Sequence, residues 1–547
     1  MTRGLRVLGL SLWLYLTTTA HAQDTAAPAA VPQAPAALPA GLDDLDAYIE
    51  GVRKTFQVPG IAVAIVKDGE VVLARGWGVR ALGNGADAGP VEATTQFAIA
   101  SNTKAITATV LNQLAEEGKL SLDDRVIDHL PWFRMADPAI TAEMRIRDLL
   151  AHRSGLSLGA GDLLYWPTTD LDVREVVRRL RHVPIKGGFR DRYAYDNILF
   201  AVAQVVIEEV DGRPFAEVLQ TRIFDPLGMT GVRYNHEHLR PRDRAATGYA
   251  LADGRDLQPA PPLTWHNAAG AGGLYASALD MAIWMRALLA GGAYRAADGS
   301  EARLLQEKTL HAMWQPIVPI PVRPAPVPEL KAAVPNFQGY GQGWSLSDYR
   351  GDKLVWHTGG WPGMVSRLTL VPERGLGVVV LTNAELGGAF QAVTMRVLDA
   401  YLDAPQTDWT AAYAAALAKS RAGADDSWAK HVAARAKGTR TARPLSAYAG
   451  TWRDPWYGDV RLSLENGRLR MQFAHTPSLA GTLEHWQHES FIVRWDERWL
   501  NADAFVTFSL DEDGTPREAR MKAVSPTTDF SFDFQDLVLT PAPGKTP

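Results

Sequence analysis

Phe97-Ala-Ile-Ala-Ser101-Asn-Thr-Lys104-Ala-Ile-Thr-Ala-Thr-Val110 decides how the rest of the chain is read. A short apolar run ends at a serine, and a lysine follows three positions later. From Ala105 onward, Ile106, Val110 and Leu114 recur every four positions until Gly118, a helical period with a stop signal. Ser101 therefore falls near a helix N-terminus, with Lys104 about one turn further on and on the same face. A serine hydroxyl is a weak nucleophile until a neighbouring base takes its proton. The helix N-terminus adds positive potential where an oxyanion would form. The spacing alone is common, about one occurrence in a few hundred residues at ordinary composition. A second copy, Ser427-Trp-Ala-Lys430, lies in a charged, alanine-rich stretch and reads as a solvated helical face.

Two other segments change the weight of the first. Tyr195-Asp-Asn197 precedes an apolar, helix-like run over residues 198–207. A phenol can carry a proton if a nearby cation lowers its pKa from about 10. An amide two residues away can hold a lysine and a substrate carbonyl. His357-Thr-Gly-Gly360 follows an apolar strand, Lys353-Leu-Val-Trp-His357. Its glycines let a substrate backbone come close, and a free N–H there can help bind an oxyanion. Taken singly, the tyrosine reads as an amphipathic wall residue and the glycines as a turn after an edge strand. Jointly, and in this order, the three segments are a strong signal.

Composition bounds the remaining possibilities. The chain has 547 residues, enough for at least two domains, with 17 tryptophans and a net charge of −5. That charge argues against a nucleic-acid footprint. There is no cysteine, which excludes disulfides, a lipid-modified cysteine and cysteine-based metal sites. Residues 1–22 read as an export signal: Arg3 and Arg6, an apolar core over 7–16, then Ala20-His-Ala22. The core is too short for an ordinary membrane span, so no stable span is expected after cleavage and the expected address is periplasmic or secreted.

Residues 23–40 are an alanine- and proline-rich tether. Residues 42–58 read as helical and lead into two apolar runs around Lys67-Asp-Gly69, a β-hairpin signal. Helical segments dominate to about residue 310, and strand character returns at 353–357, 366–371 and 377–382. This predicts one mixed α/β unit over 41–405 whose sheet joins early and late sequence. The proline-rich residues 316–335 read as a stiff loop, either a lid or an inert excursion. Residues 406–440 read as a helical connector. Residues 441–547 carry short alternating strands and dense tryptophans (Trp452, Trp456, Trp486, Trp495, Trp499), which predict a small all-β barrel or sandwich with the aromatics in its core.

The order of the three motifs resembles that of the serine hydrolases built on the class C β-lactamase and penicillin-binding-protein fold. The likeness spans about 42–400 and includes Leu149-Leu-Ala-His-Arg-Ser-Gly-Leu156, Pro226-Leu-Gly-Met229 and Gly272-Gly-Leu-Tyr-Ala-Ser-Ala-Leu-Asp280. The third motif is Lys-Thr-Gly in the β-lactamases of that family; His-Thr-Gly is similar to its esterases and D-aminopeptidases. The C-terminal segment resembles a lipocalin-like barrel appended to some of these peptidases. The resemblance implies a β-lactamase/transpeptidase-like fold and Ser101 as acylated nucleophile. Lys104 and Tyr195 would share the proton work, either one being the base, with Asn197 and His357 orienting them. The N–H groups of Ser101 and Gly360, beside Gly359, would bind the oxyanion. No metal or organic cofactor is implied.

His236 and His238, like His485 and His488, lack a third ligand at metal spacing and read as surface histidines; His152 reads as a backbone brace. The leading expectation is an exported peptidase or esterase acting on small peptides, esters or β-lactam-like substrates. The alternatives are a β-lactamase or D-alanyl-D-alanine carboxypeptidase, and a ligand-binding sensor without turnover. The sequence assigns no oligomeric state.

Overall fold

The computed structural model describes residues 38–543 apart from 84, 86 and 87. The export signal expected at 1–22, and most of the tether at 23–40, lie outside the described residues.

An eight-stranded antiparallel sheet forms the frame. From one edge its order is Glu70–Gly78, Gly60–Lys67, Leu376–Thr382, Met364–Val371, Asp352–Trp361, Ser345–Tyr349, Gln338–Tyr340 and Val318–Pro319. Early and late sequence meet at its second and third strands, where Ile61 pairs with Thr382 and Lys67 with Leu376. The expected hairpin is present, and its Asp68 and Gly69 both have positive φ (50° and 83°). A tight turn matched to the twist of its strands requires that conformation at both positions.

The sheet is covered on both faces, which explains its continuous apolar runs. Along Gly60–Lys67, Ala62, Ala64 and Val66 enter one core with the helical region, including Ala278–Leu289. Ile61, Val63 and Ile65 enter the other, beneath helices Leu45–Thr55, Gly388–Tyr401 and Trp409–Ala434. The first of these is shorter at each end than the helical reading of 42–58. The second serine–lysine pair, Ser427 and Lys430, lies within the long helix. Trp409 anchors that helix: it is fully buried, and its indole N–H donates to Asp399 Oδ2 at 2.7 Å.

The proline-rich loop is not a lid. Val318–Pro319 adds an edge strand, and Val327 and Leu330 are buried in the outer core, not in the core that Ile99 and Ala100 join. Lys419 of the long helix donates to the Pro326 carbonyl at 2.6 Å.

The C-terminal strands form a second eight-stranded antiparallel sheet, from Pro516–Ala523 at one end to Thr540–Pro541 at the other. Ala519 and Leu539 exchange two backbone hydrogen bonds (2.8 and 3.1 Å), bringing the ends together into a nearly closed barrel. Trp452, Trp456, Trp495 and Trp499 are buried inside. Trp486 instead lies outside, 5.4 Å from Trp428 of the long helix.

The barrel grips the helical region at separate points. Arg498 pairs with Asp253, His475 with Asp170 (2.7 Å), and Asn501 Nδ2 donates to the Leu251 carbonyl at 2.7 Å. No described helix is long and apolar enough to cross a membrane.

Trp409→Ala removes a fully buried ring and leaves Asp399 short of a donor. It is expected to cost about 3–5 kcal/mol, read as a lowered urea midpoint for unfolding.

Candidate active site

Ser101 sits on a short 3-10 turn, Ala100–Asn102, that runs directly into the helix Thr103–Glu116. Ala100 has φ of 46°, left-handed backbone that a residue with a Cβ adopts only when its surroundings hold it there. The holding contacts come from the sheet. Ser366 Oγ donates to the Ile99 carbonyl at 2.9 Å, and Asn102 Nδ2 donates to Ser366 Oγ at 2.8 Å. Ser366 is directly opposite Gly359 in the neighbouring strand.

This geometry corrects the reading of the glycines. A Cβ on Gly359 would fall 2.1 Å from the Ile99 carbonyl oxygen. Gly359 is therefore glycine so that the serine-bearing turn, not a substrate, can approach the strand. Gly360 faces open space, with nothing within 4 Å of its Cβ position. Nor does the motif end its strand, which continues to Trp361. Ser345–Tyr349 pairs only as far as Trp356, so beyond it the strand is paired on one side alone, with the serine turn nearby.

Lys104 is wholly buried, and its Nζ lies 2.9 Å from Ser101 Oγ. It donates to Asn197 Oδ1 at 2.6 Å and to the Ala271 carbonyl at 2.8 Å. A neutral amine has two N–H groups and one lone pair. Two carbonyl oxygens claim the N–H groups, so the lone pair is left for the Ser101 hydroxyl. Burial lowers the Lys104 pKa to about 7, against the opposing pull of the Asp162 and Asp196 carboxyls.

Asn197 is oriented from behind. Its Nδ2 donates to Asp162 Oδ2 at 2.8 Å, which turns Oδ1 towards the lysine. Asp162 also accepts from Tyr165 OH and, at 2.8 Å, from Ser531 Oγ of the C-terminal segment. Its own burial raises the Asp162 pKa to about 7, partly offset by those donors and by Lys104.

Tyr195 closes one wall, its ring centroid 4.9 Å from Lys104 Nζ. Burial raises its phenol well above 10, against the hydrogen-bonding influence of Ser101. Of the two groups the sequence left open as the base, burial brings the Lys104 ammonium down towards neutrality and pushes the Tyr195 phenol up. Phe530 of the C-terminal segment, exposed at the mouth, meets the Tyr195 ring edge-on at 5.8 Å.

His357 is placed differently from the expectation that it orients the lysine or the phenol. Its Nδ1 donates to the Thr358 carbonyl (2.6 Å) and its Nε2 accepts from Tyr340 OH (2.8 Å). Burial first, then Lys104, lowers its pKa to about 3, so it is neutral at physiological pH. Its ring is 6.2 Å from that of Tyr195. His152 accepts the Asp196 backbone N–H at its Nδ1 (3.1 Å), beneath the Tyr195 ring at 4.1 Å. That is the bracing contact expected of it.

Asp162, Tyr165, Tyr340 and Ser531 were not read from the sequence. Asp162 carried a signal: it is the one charged residue in the run 154–169, and a buried charge needs partners. Ser531 carried none.

A family model described as beta-lactamase matches residues 45–402. The chain belongs to the beta-lactamase family. A second model, a domain of unknown function (DUF3471), matches residues 434–541. Among curated relatives, the unguisins hydrolase ungD of Aspergillus violaceofuscus is 28% identical over 518 residues, covering 87% of this chain and 86% of that protein. The D-amino acid amidase from Ochrobactrum anthropi SV3 is 25% identical with a TM-score of 0.52, covering 66% of this chain and 99% of that one. The octameric penicillin-binding protein homologue from Pyrococcus abyssi shares the fold at 20% identity and a TM-score of 0.56, covering 91% of this chain and 99% of that one. Beta-lactamase-family membership and these hydrolase relatives make the chain a serine hydrolase.

Gly359→Ala would push the Ala100–Asn102 turn off the strand. Because a 1 Å misplacement of reacting groups costs about 100-fold, the expected result is a loss of that order in the acylation rate with an activated ester, while far-ultraviolet circular dichroism is retained.

Proposed function

We propose that this family member is an exported hydrolase that cleaves amide or ester bonds of small peptides, D-residues included, through an acyl-enzyme on Ser101. The observation that carries the reading is the Lys104 amine, buried, titrating near neutrality and presenting its lone pair to the Ser101 hydroxyl. The likeness to a D-amino acid amidase supports amide substrates with D-stereochemistry. The arginine-flanked apolar N-terminus supports export.

Ser101 Oγ attacks the substrate carbonyl carbon as its proton passes to Lys104 Nζ. The carbonyl oxygen takes the negative charge, facing the N–H groups of Ser101 and Gly360. Collapse breaks the bond to the leaving group, which receives the proton from Lys104 with the Tyr195 phenol as a donor beside it. Tyr195 stays protonated throughout, since its pKa is raised, so Lys104 is the base in this account. Water then attacks the ester carbonyl as Lys104 takes its proton; collapse breaks the acyl–Oγ bond, Lys104 returns that proton to Ser101 Oγ, and the acid product leaves. Asn197 holds the amine, and His357 sets the strand geometry through Tyr340.

His357 in place of the lysine of the β-lactamases removes a cation that would meet a substrate carboxylate. Amides and esters without that group are therefore favoured over penicillins. Intact-mass measurement with a fluorophosphonate should show one adduct on Ser101 and none on Ser101→Ala; an unlabelled wild type would overturn the reading. Rapid turnover of a chromogenic cephalosporin, exceeding that of D-amino acid amides, would move the assignment to β-lactamase.

Because the base must be neutral, kcat/KM should rise at least about tenfold per pH unit below pH 7 and level off above it. A profile without a limb between pH 6 and 8 would remove Lys104 from the role of base.

A further inference from the structure

We infer that the C-terminal barrel supplies a positioning residue to the active site: Ser531 holds the Asp162 carboxylate, which fixes the Asn197 amide that aims the Lys104 amine at Ser101. The inference rests on the hydrolase reading above and assigns a role to the segment that matches a domain of unknown function.

Three hydrogen bonds make the connection. Ser531 Oγ donates to Asp162 Oδ2 at 2.8 Å, Asn197 Nδ2 donates to the same oxygen at 2.8 Å, and Lys104 Nζ donates to Asn197 Oδ1 at 2.6 Å. All four side chains are buried, Ser531 at 4% exposure and Asp162 and Lys104 at 0%. The segment is built to stay there. Asp533 accepts the backbone N–H groups of Gly161 and Leu163 at 2.7 and 3.1 Å, on either side of Asp162. Lys186 pairs with Asp536, and a Cβ on Gly159 would fall 2.5 Å from the Phe530 carbonyl oxygen. Phe534 is fully buried within the barrel and stacks on Trp495.

The direction of the Asn197 amide is what the chain of bonds decides. An ionised carboxylate only accepts, so Asp162 must face the NH2 end and Lys104 must face the carbonyl end. A protonated Asp162 can donate to the amide oxygen instead. The amide then turns, and its NH2 competes with the Ser101 hydroxyl for the lysine lone pair. Ser531 donates to the carboxylate and so favours the ionised form. The titratable groups around Asp162 are Tyr165 on its own turn, Lys104 on the nucleophile helix, Tyr195 beside Asn197, and Asp533 on the C-terminal segment. Asp196 faces Lys104 from the Tyr195 loop. Asp162 and Lys104 both titrate near 7, so the competent state, with both deprotonated, is sensitive to a small change at either.

Removing the Ser531 hydroxyl raises the Asp162 pKa and moves the competent state to higher pH. A hydrogen bond to a charged group is worth enough to shift the acid limb by about one pH unit, and the rate at pH 6.5 by about tenfold.

The test is the pH dependence of Ser101 acylation by a fluorophosphonate, followed by intact mass, for the full-length wild type and four variants. Ser531→Ala should move the acid limb up by about one unit, and Ser531→Thr, which keeps the hydroxyl, should restore it. Asp162→Asn does not titrate, so adding Ser531→Ala to it should leave the limb where Asp162→Asn alone puts it. A Ser531→Ala profile superimposable on wild type, or the same shift in the Asp162→Asn background, would overturn the inference. Failure of the wild type to acylate would count against the hydrolase reading instead. A lowered plateau in Ser531→Ala with an unmoved limb would reduce Ser531 to a structural contact and also overturn it.

Discussion

The site depends on a lysine that, once neutral, has more hydrogen-bond acceptors than hydrogens to give. Lys104 Nζ touches the Asn197 carbonyl, the Ala271 carbonyl and the Ser101 hydroxyl. As an ammonium it satisfies all three; as an amine it must leave one without a donor, and the hydroxyl alone can reverse its role. Burial makes the amine accessible near neutral pH by penalising the charge. Lys430, at the same spacing from Ser427, lies instead on the long helix Trp409–Ala434, outside this buried cluster of acceptors.

The rest of the fold can be understood as what keeps those acceptors still. The helix Thr103–Glu116 carries serine and lysine together, so their relation is local. Asn197 begins a second buried helix, Ile198–Asp211, and Ala271 lies on a short turn, Ala269–Gly272, packed beside it. The sheet contributes from the other side: Ser366 ties down the turn that bears Ser101, and Gly359 lets it come close. The left-handed Ala100 is tolerated because both neighbours hold it. The polar groups around the lysine are buried and largely paired, which matches the cost of leaving them otherwise.

The frame, and the side chains that gather around Lys104, were legible because their signals are local. The serine–lysine spacing sits on a helical period, and the hairpin announced itself by Asp68-Gly69. The alternation of Gly60–Lys67 between two cores produced the run that marked a buried strand. The Trp-rich C-terminal strands read correctly as a barrel interior, with Trp486 the exception because a helix outside the barrel covers it. What the sequence withheld was long-range. Ser531 and Asp162 meet across 369 residues, and nothing in Asp529-Phe-Ser-Phe-Asp-Phe534 marks the serine. The proline loop kept two readings open because stiffness says nothing about which face it lies on. Gly359 looked like a substrate-facing glycine because the Ile99 carbonyl that excludes a side chain comes from the other end of the chain.

The most direct measurement is the titration of Lys104 itself, by NMR of protein carrying 13C at the lysine ε-carbons, with the resonance assigned by its loss in Lys104→Arg. The account predicts that the Lys104 resonance titrates near pH 7. A Lys104 resonance that titrates near the ordinary lysine value would mean the amine is protonated when the serine must lose its proton. That result would contradict the account.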